Sequence, residues 1–373
     1  MTCACGLDKT AGAFAHADMK YSRTFLMQLA KNWALLFLFI LIASFSVAEP
    51  NFFSLRNANN ILIAATTTLL LAAGETFVII TGGIDLSIGF IMGFVSVASA
   101  TIMQRLYARG EGYPEVVCIL LGALAGILLG MIPGVINGLL ISKFRVPPFI
   151  ATLGMYGIAN GIALKICDGF PVSFLPPLTG QFGNGFIAYY SGKQGLSLFQ
   201  KPVLTERADI LALKGLLPVS VVISAILLLV FGFILAKTRF GQHTYAIGGN
   251  QDAAIRSGIN VPWHVVKIYA LSSFLASCAG VLLVLRFTMG THTQFSSTYE
   301  LFAIAGVVIG GASLMGGNGT LWGTTVGVVL LSTLESGFVM AGIQVFYRYI
   351  AVGVILIFAV LIDQFFPEMI HNE

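Results

Sequence analysis

The sequence predicts an all-α, polytopic membrane protein with about ten transmembrane helices. Of the 373 residues, 57% are hydrophobic and only 10% are charged, and the mean hydropathy is +0.90. A typical soluble domain carries roughly 25% charged residues, so this composition excludes an ordinary soluble fold. The 42 glycines fit a helical bundle in lipid, because small residues let helix backbones approach one another closely.

Long apolar stretches define the predicted helices. A helix needs roughly 20 apolar residues to cross the hydrocarbon core of a bilayer. Stretches of about this length follow one another along the chain at 32–49, 60–81, 86–104, 116–141, 148–167, 216–236, 264–286, 299–316, 320–341 and 345–366. The eighth and ninth are the weakest, because they are rich in glycine, and we expect discontinuous, glycine-rich turns.

Basic residues predict the orientation of the bundle, because lysine and arginine are enriched in cytoplasmic loops. With the N-terminus inside, eight of them fall on the cytoplasmic side: Lys9, Lys20, Arg23, Lys31, Lys143, Arg145, Lys237 and Arg239. Four fall on the other side near predicted helix ends: Arg56, Arg105, Arg109 and Arg286. Four more lie in the long external segment 168–215, and long loops are largely exempt from the rule: Lys193, Lys201, Arg207 and Lys214. We therefore expect a cytoplasmic extension (1–31), a transmembrane domain (32–366) and a cytoplasmic tail (367–373). The net charge of +4 follows from this topology, and no nucleic-acid partner is expected.

The clearest functional motif is a polar loop at 237–262, which separates two strongly apolar stretches. Its flanking basic residues place it in the cytoplasm. The part from Asp252 to Gly258 has the pattern of a short helix, with Asp252 as N-cap and Gly258 as the stop. A short helix of small residues at the membrane face suits docking of another protein. The alternative is a solvated loop that only connects two spans.

A second motif, Thr81–Gly89, interrupts the apolar sequence between the second and third predicted helices. It contains Gly82, Gly83, Asp85 and Ser87. Broken helices in membrane proteins face a cavity or packed protein and often lie near a translocation pathway. The alternative is a tight hairpin in which Asp85 or Ser87 caps the third helix.

The glycine pattern of this motif recurs later in the chain. Gly82-Gly83, Leu86 and Gly89 match Gly310-Gly311, Leu314 and Gly317 in spacing, and the predicted topology puts both segments on the same side. This spacing suggests an internal duplication. Two separate sharp turns between close-packed helices would give the same pattern.

Ionisable side chains at membrane depth are costly, so each should face a cavity, pair with another group or lie near an interface. Glu75 is the deepest, and we expect it to line the pathway or support it by hydrogen bonding; a structural bond between helices is the alternative. Asn160 and Glu300 are further pathway candidates. Three other ionisable residues lie close enough to predicted helix ends to reach water, namely Lys165, Glu335 and Asp363.

The largest break in hydrophobicity, at 168–215, is an external loop in the predicted topology. Its aromatic residues are Phe182, Phe186, Tyr189 and Tyr190. They could form an interfacial lid or a docking surface for an extracytoplasmic partner. A tolerated surface insertion is the alternative.

The sequence contains no motif for catalysis or nucleotide binding. The Lys-Thr pairs at 9–10 and 237–238 lack the upstream glycines of a phosphate-binding loop. Histidine-based metal motifs and nucleophile elbows are missing as well, and Cys3 and Cys5 have no partners at ligand spacing. We therefore expect no enzyme activity, no metal and no cofactor in this chain.

Six motifs in one order resemble the ribose-type sugar permeases of bacterial ABC importers, over roughly residues 35–365. They are Gly-Gly-Ile-Asp-Leu-Ser-Ile-Gly at 82–89, Asn137-Gly138, Pro147-Pro148 with the sequence to Met155, Arg239-Phe240-Gly241, Tyr245-Ala246-Ile247-Gly248-Gly249-Asn250, and Gly310-Gly311-Ala312-Ser313-Leu314-x-Gly-Gly. The extension before residue 32 and the long 168–215 loop depart from the family pattern.

The resemblance implies a transport subunit that works with partners. In this family, two permease chains, identical or paralogous, assemble with two ATPase domains that bind ATP and Mg²⁺, and with a periplasmic or lipid-anchored substrate-binding protein. The ATPase-coupling region of the family would map onto Gly248, Gly249, Asn250, Ala253, Ala254 and Gly258.

The implied function is import of a small sugar or polyol across the bacterial inner membrane by alternating access. Related permeases carry nucleosides or branched amino acids, so these solutes are alternatives. An ion-coupled transporter that uses Glu75, Asp85 or Glu300 as a proton site, and a membrane-embedded enzyme, are alternatives from other classes.

Overall fold

The structure, a computed structural model, describes residues 33–108, 113–192, 195–199, 201–202, 213–292 and 298–365. The predicted extension 1–31 and tail 367–373 lie outside the described residues. In chain order the helices and strands are α1 (Trp33–Ala48), α2 (Leu55–Ile80), α3 (Ile88–Ala108), α4 (Glu115–Ser142), α5 (Pro148–Cys167), α6 (Leu178–Asn184), β1 (Phe186–Ser191), β2 (Gly195–Leu198), β3 (Lys214–Pro218), α7 (Val219–Lys237), α8 (Arg239–Gly249), α9 (Gln251–Arg256), α10 (Val261–Phe287), α11 (Tyr299–Ile309), α12 (Leu321–Met340) and α13 (Val345–Phe365).

The prediction of a polytopic helical membrane protein is confirmed. Within the described residues, seven helices are long and apolar enough to cross a membrane: α2, α3, α4, α5, α7, α10 and α12. The helices α1 and α11 and the stretch Phe346–Phe358 of α13 are shorter apolar segments. Each of the ten predicted stretches therefore contains a helix.

Two helices differ from their predicted bounds for identifiable reasons. The helix α2 begins at Leu55, ahead of its apolar stretch, because Ser54 caps it by accepting a hydrogen bond from the Asn57 backbone N–H. The helix α11 has only 11 residues, a rise of about 16 Å, which is half of a bilayer core of about 30 Å. It ends at Ile309 with Gly310 as its C-cap, and Gly311 adopts a φ of +88° that favours glycine.

The core is built around α2, α3 and α10, which are the most enclosed of the long helices. The helices α4 and α5 pack on one side of this centre, while α11 and α12 pack on the other and are covered by α1 and α13. Fully buried side chains such as Phe77, Met92 and Leu275 fill the centre. Three helices are thus shielded from lipid by the others.

Glycines at every fourth position let α4 lie directly against α3 and α10. They are Gly122, Gly126, Gly130, Gly134 and Gly138. A Cβ at Gly130 would lie 3.1 Å from the Cβ of Ser277, and one at Gly138 would lie 2.5 Å from the Cα of Val266. No larger side chain fits at such a separation, which is the small-residue packing that membrane helices favour.

The predicted loop 168–215 contains α6 and a small antiparallel sheet of order β2-β1-β3. The hydropathy pattern gave no indication of strands here, because short strands outside the membrane carry no long apolar stretch. The sheet is attached to the bundle by the Asn59 side-chain amide, which donates to the Gly215 carbonyl at 2.9 Å. A bridge between Val172 and Gly290 attaches the segment ahead of α6. We call this end of the bundle the sheet face.

The opposite end carries α8 and α9, and we call it the junction face. Gly138, near the end of α4, packs on Val266, near the start of α10. The Thr152 hydroxyl oxygen, near the start of α5, lies 3.3 Å from the Ile84 carbonyl oxygen. The loop after α4 and the loops before and after α8 and α9 therefore share one face of the bundle.

Candidate functional site

The polar loop folds into two consecutive helices on the junction face, α8 and α9. Asn250 separates them and caps α9, because its side-chain oxygen accepts a hydrogen bond from the Ala253 N–H at 2.9 Å. The predicted short helix is present, but the cap is Asn250 and not Asp252, since α9 starts one residue before Asp252. Gly258, with a φ of +82°, ends the turn as predicted.

Four of the six predicted coupling residues are exposed on this surface: Gly249, Asn250, Ala253 and Gly258. The other two face inward. Ala254 is buried in a small cluster with Ile247 and Val261, and Gly248 is half-buried against other backbone segments.

Two apolar side chains also stand on this face, although the sequence argument did not single them out. Ile255 on α9 and Trp263 at the start of α10 are each 52% exposed. The sequence does contain a signal for an exposed apolar residue here, because Ile255 is the one large apolar residue in a short segment of polar or small residues. Exposed apolar side chains beside small residues are a composition that the centres of protein-binding surfaces share.

The helix α8 joins both glycine-rich breaks of the bundle. The Gly317 N–H donates to the Ile80 carbonyl at 2.8 Å, so the second break contacts the end of α2. The Tyr245 hydroxyl, on α8, donates to the Gly319 carbonyl at 2.6 Å. A Cβ at Gly248 would lie 2.5 Å from the Gly317 nitrogen. We call residues 80–83, 245–249 and 313–319 the three-way junction.

Backbone conformation makes this contact possible. Gly82, Gly316 and Gly317 have φ values of +78°, +88° and +78°, which disfavour any other residue. The two segments with matching glycine spacing therefore meet each other on one face of the bundle. Burial raises the pKa of the Tyr245 phenol, so its hydroxyl stays a donor to the Gly319 carbonyl at neutral pH.

A buried polar cluster lies directly behind the junction. The Asp85 carboxyl group accepts hydrogen bonds from the Ser87 N–H at 3.0 Å, from the Ser87 hydroxyl at 2.5 Å and from the Ser272 hydroxyl at 3.3 Å. The Asn137 amide donates to the Ser87 oxygen at 3.0 Å. The Glu75 Oε1 accepts from the Asp85 N–H at 3.0 Å. The cluster thus ties the break to α2, α4 and α10.

Every one of these five side chains is fully buried. Glu75, Asp85 and Ser87 therefore hold the break between α2 and α3 by hydrogen bonds in this conformation. Gly83 fits under the Tyr269 ring, since a Cβ there would lie 2.6 Å from the Tyr269 hydroxyl oxygen. Whether Glu75 supports the pathway through this hydrogen bond or forms only a structural bond between helices stays a prediction.

The other two predicted pathway residues lie outside this cluster. Asn160 is half-buried on α5, eight positions beyond Thr152. Glu300 is buried in the first turn of α11, where its Oε1 accepts from the Thr298 N–H at 3.4 Å, at the opposite end of α11 from the junction. Whether either residue lines the pathway stays a prediction.

The Glu75 hydrogen bond gives a direct test of the cluster. We expect Glu75→Gln to keep transport within about twofold of the original chain, because its side-chain oxygen still accepts from the Asp85 N–H. Glu75→Leu leaves that buried donor unsatisfied and should cost about 1–3 kcal/mol of stability. Thermal unfolding of the purified chain, together with uptake assays, measures both effects. Equal damage from the two substitutions would show that this hydrogen bond is not what Glu75 contributes.

Comparison with known proteins places the chain in a family. A family model described as the permease component of branched-chain amino acid transport systems matches residues 57–360. The ribose import permease protein of Bacillus subtilis is 38% identical over 329 residues, covering 88% of this chain and 90% of the relative. The galactose/methyl galactoside import permease protein of Escherichia coli is 34% identical over 353 residues, covering 91% and 96%.

A third relative, the xylose transport system permease protein of Haemophilus influenzae, is 34% identical over 359 residues, covering 87% of this chain and 93% of its own length. No solved structure matches the chain. The family-model match runs through the helices of the core, both glycine-rich breaks and the polar loop. The chain therefore belongs to the family of bacterial transport-system permease components.

Proposed function

We propose that this chain is the membrane-spanning permease subunit of an ATP-driven ABC importer that moves a small sugar or polyol inward by alternating access. The observation that carries the proposal is the three-way junction. An exposed helix, α9, sits in front of α8, and α8 contacts the backbone of both breaks in the bundle. The named relatives carry ribose, galactose and xylose, which favours a sugar over the amino acids of the family description.

The geometry explains how a partner could drive transport without chemistry in this chain. A rigid contact transmits displacement best when backbone meets backbone, because no flexible side chain intervenes. Gly248 and Gly317 meet in this way. A partner that binds α9 better in one conformation than in another shifts the equilibrium between them, and the shift is limited by that difference in affinity.

An ABC importer of this kind requires three kinds of partner. An ATPase subunit, which binds ATP and Mg²⁺, docks on α9, and a second permease chain, identical or paralogous, completes the pore. A periplasmic or lipid-anchored binding protein delivers the sugar to the sheet face. The junction face is cytoplasmic, because Lys143, Arg145, Lys237, Arg239 and Lys267 cluster at that end. With this orientation both termini are cytoplasmic.

The proposed docking surface can be tested by placing a large charged side chain at exposed positions. A Cβ at Gly249 meets no atom within 4 Å, and Ala253 is exposed. We expect Gly249→Arg and Ala253→Arg to leave the chain folded but to reduce ATP-driven uptake by at least about tenfold, because a bulky charged side chain inside a packed interface clashes with the partner and is buried without a counter-charge. Purification in mild detergent, with mass spectrometry of the co-purifying chains, measures loss of the ATPase.

Gly192→Arg is the matched control, since Gly192 is exposed on the sheet face and a Cβ there also meets nothing within 4 Å. It should retain the ATPase. Normal uptake by both α9 variants would refute the docking assignment. Transport by the purified chain alone in liposomes, without ATP, would replace the importer with an ion-coupled transporter.

A further inference from the structure

A polar cavity of about 310 Å³ opens in the half of the bundle nearer the sheet face, between α2, α10, α11, α12 and α13. Small-molecule sites in proteins have volumes of this order, roughly 300–1,000 Å³. Its polar lining includes Thr68, Arg286, Ser332, Glu335 and Arg348. The hydropathy pattern had placed Glu335 at a helix end, where it would reach water, and the structure places it in the wall of this cavity.

Charged and aromatic groups are combined in the cavity wall. Glu335 and Arg348 form an ion pair, with side chains 36% and 22% exposed. The Arg348 guanidinium lies over the Phe302 ring, 4.5 Å from its centroid. The Arg348 Nε has no hydrogen-bond partner among the described residues, although it is buried. Buried donors of this kind are rarely left unpaired, so Arg348 keeps a donor that the described residues do not satisfy.

Two further cavities lie between this cavity and the sheet face. A second cavity of about 990 Å³ shares Arg286, Ser332 and Glu335 with it. A third of about 710 Å³ shares Asn60 with the second and reaches Lys214 on β3. Because neighbouring cavities share lining residues, the three follow one another from the small sheet to the Glu335–Arg348 pair.

We propose that the cavity around Arg286, Glu335 and Arg348 is a recognition subsite for a neutral monosaccharide on its way through the permease. The proposal rests on the proposed transport function and adds a position in the chain at which the solute is held.

The chemistry of the lining fits a sugar ring. A carboxylate accepts hydrogen bonds from hydroxyl groups, and a guanidinium group donates several in a fixed planar geometry. The Tyr349 ring, which also lines the cavity and is 48% exposed, offers an apolar surface to the C–H groups of a pyranose or furanose. Glu335 offsets one of the two arginine charges, which leaves less positive charge to attract an anion than two unpaired arginines would.

The test uses the complete importer, reconstituted in proteoliposomes with its ATPase and binding protein. Sugar uptake and ATP hydrolysis are measured together with D-ribose, D-galactose and D-xylose. The double variant E335Q/R348Q removes the pair without leaving one unpaired charge. We expect it to lower the number of sugars moved per ATP by about tenfold, because at least two hydrogen bonds to the sugar weaken. Arg286→Gln should lower the same ratio by a smaller factor.

Arg105→Gln is the matched control, because Arg105 is an exposed arginine at the end of α3 and does not line this cavity. It should leave the ratio unchanged. A second measurement is saturation-transfer NMR of D-ribose, D-galactose and D-xylose with the purified permease chain. At least one sugar should give a signal that the double variant loses, and this readout does not depend on ATP.

The outcomes separate the two proposals. Absence of ATP-dependent uptake by the unmodified importer would refute the transport function itself. Normal uptake with an unchanged sugar-to-ATP ratio and unchanged NMR signals in the double variant would overturn the subsite alone. A signal from an anionic solute such as ribose 5-phosphate, with none from the neutral sugars, would overturn the ligand class.

Discussion

Replacing Gly134 with leucine is expected to prevent the permease core from assembling. A Cβ at this position would lie 2.6 Å from the Cβ of Ser273 and would also collide with the Tyr269 carbonyl oxygen. Backbone atoms of α10 cannot move aside without displacing the centre of the bundle, since α10 packs on α2, α3 and α4. We expect a loss of more than about 3 kcal/mol, at the upper end of overpacking effects. Fluorescence-detected size exclusion of the detergent-extracted chain measures the loss as aggregation.

Gly232→Leu provides the matched control for this experiment. Gly232 lies in a transmembrane helix, α7, but a Cβ there meets no atom within 4 Å. The same substitution should therefore leave a monodisperse chain. If Gly134→Leu were as stable as Gly232→Leu, close packing of α4 on α10 could not be what requires the glycine.

Much of the fold could be predicted because lipid imposes a simple rule. Apolar stretches of sufficient length become helices, and all ten stretches did. Helix boundaries were less predictable where polar residues extend a helix beyond its apolar stretch. Asn57 is an example, because it lies in the first turn of α2 and donates its side-chain amide to the Phe52 carbonyl. The high glycine content of the stretch 299–316 is consistent with the early end of α11. The small sheet could not be predicted, because its strands pair through backbone groups that leave little trace in hydropathy.

The individual motifs of the candidate site could be predicted, but their contact in the folded chain could not. Each glycine-rich break and the polar loop were visible as local patterns. Their meeting at the three-way junction depends on residues far apart in sequence, such as Ile80 and Gly317. The sequence also could not distinguish exposed Gly249 from packed Gly248, because neighbouring glycines look alike until their surroundings are known. By contrast, the four-residue spacing of glycine in α4 was available and predicts close helix packing.

The adjacent glycines of α8 give the sharpest test of the junction. A single methyl group at Gly248 would lie 2.5 Å from the Gly317 nitrogen and 2.9 Å from the Ile80 carbonyl carbon, and both of these atoms are backbone. A methyl group at Gly249 meets nothing within 4 Å. We therefore expect Gly248→Ala to reduce ATP-driven uptake by at least about tenfold, since overpacking of this kind costs about 1–3 kcal/mol, whereas Gly249→Ala should transport normally.

Uptake, recovery of the ATPase and thermal stability of the purified chain should be measured side by side for the two alanine variants. Gly249→Arg loses the ATPase by blocking the surface, so its chain alone should be as stable as the original. Gly248→Ala should instead lower the stability of the chain alone, because it separates α8 from both breaks. If Gly248→Ala behaved like Gly249→Ala in all three measurements, α8 would not be the link between the docking surface and the bundle, and another contact would have to transmit the movement of the partner.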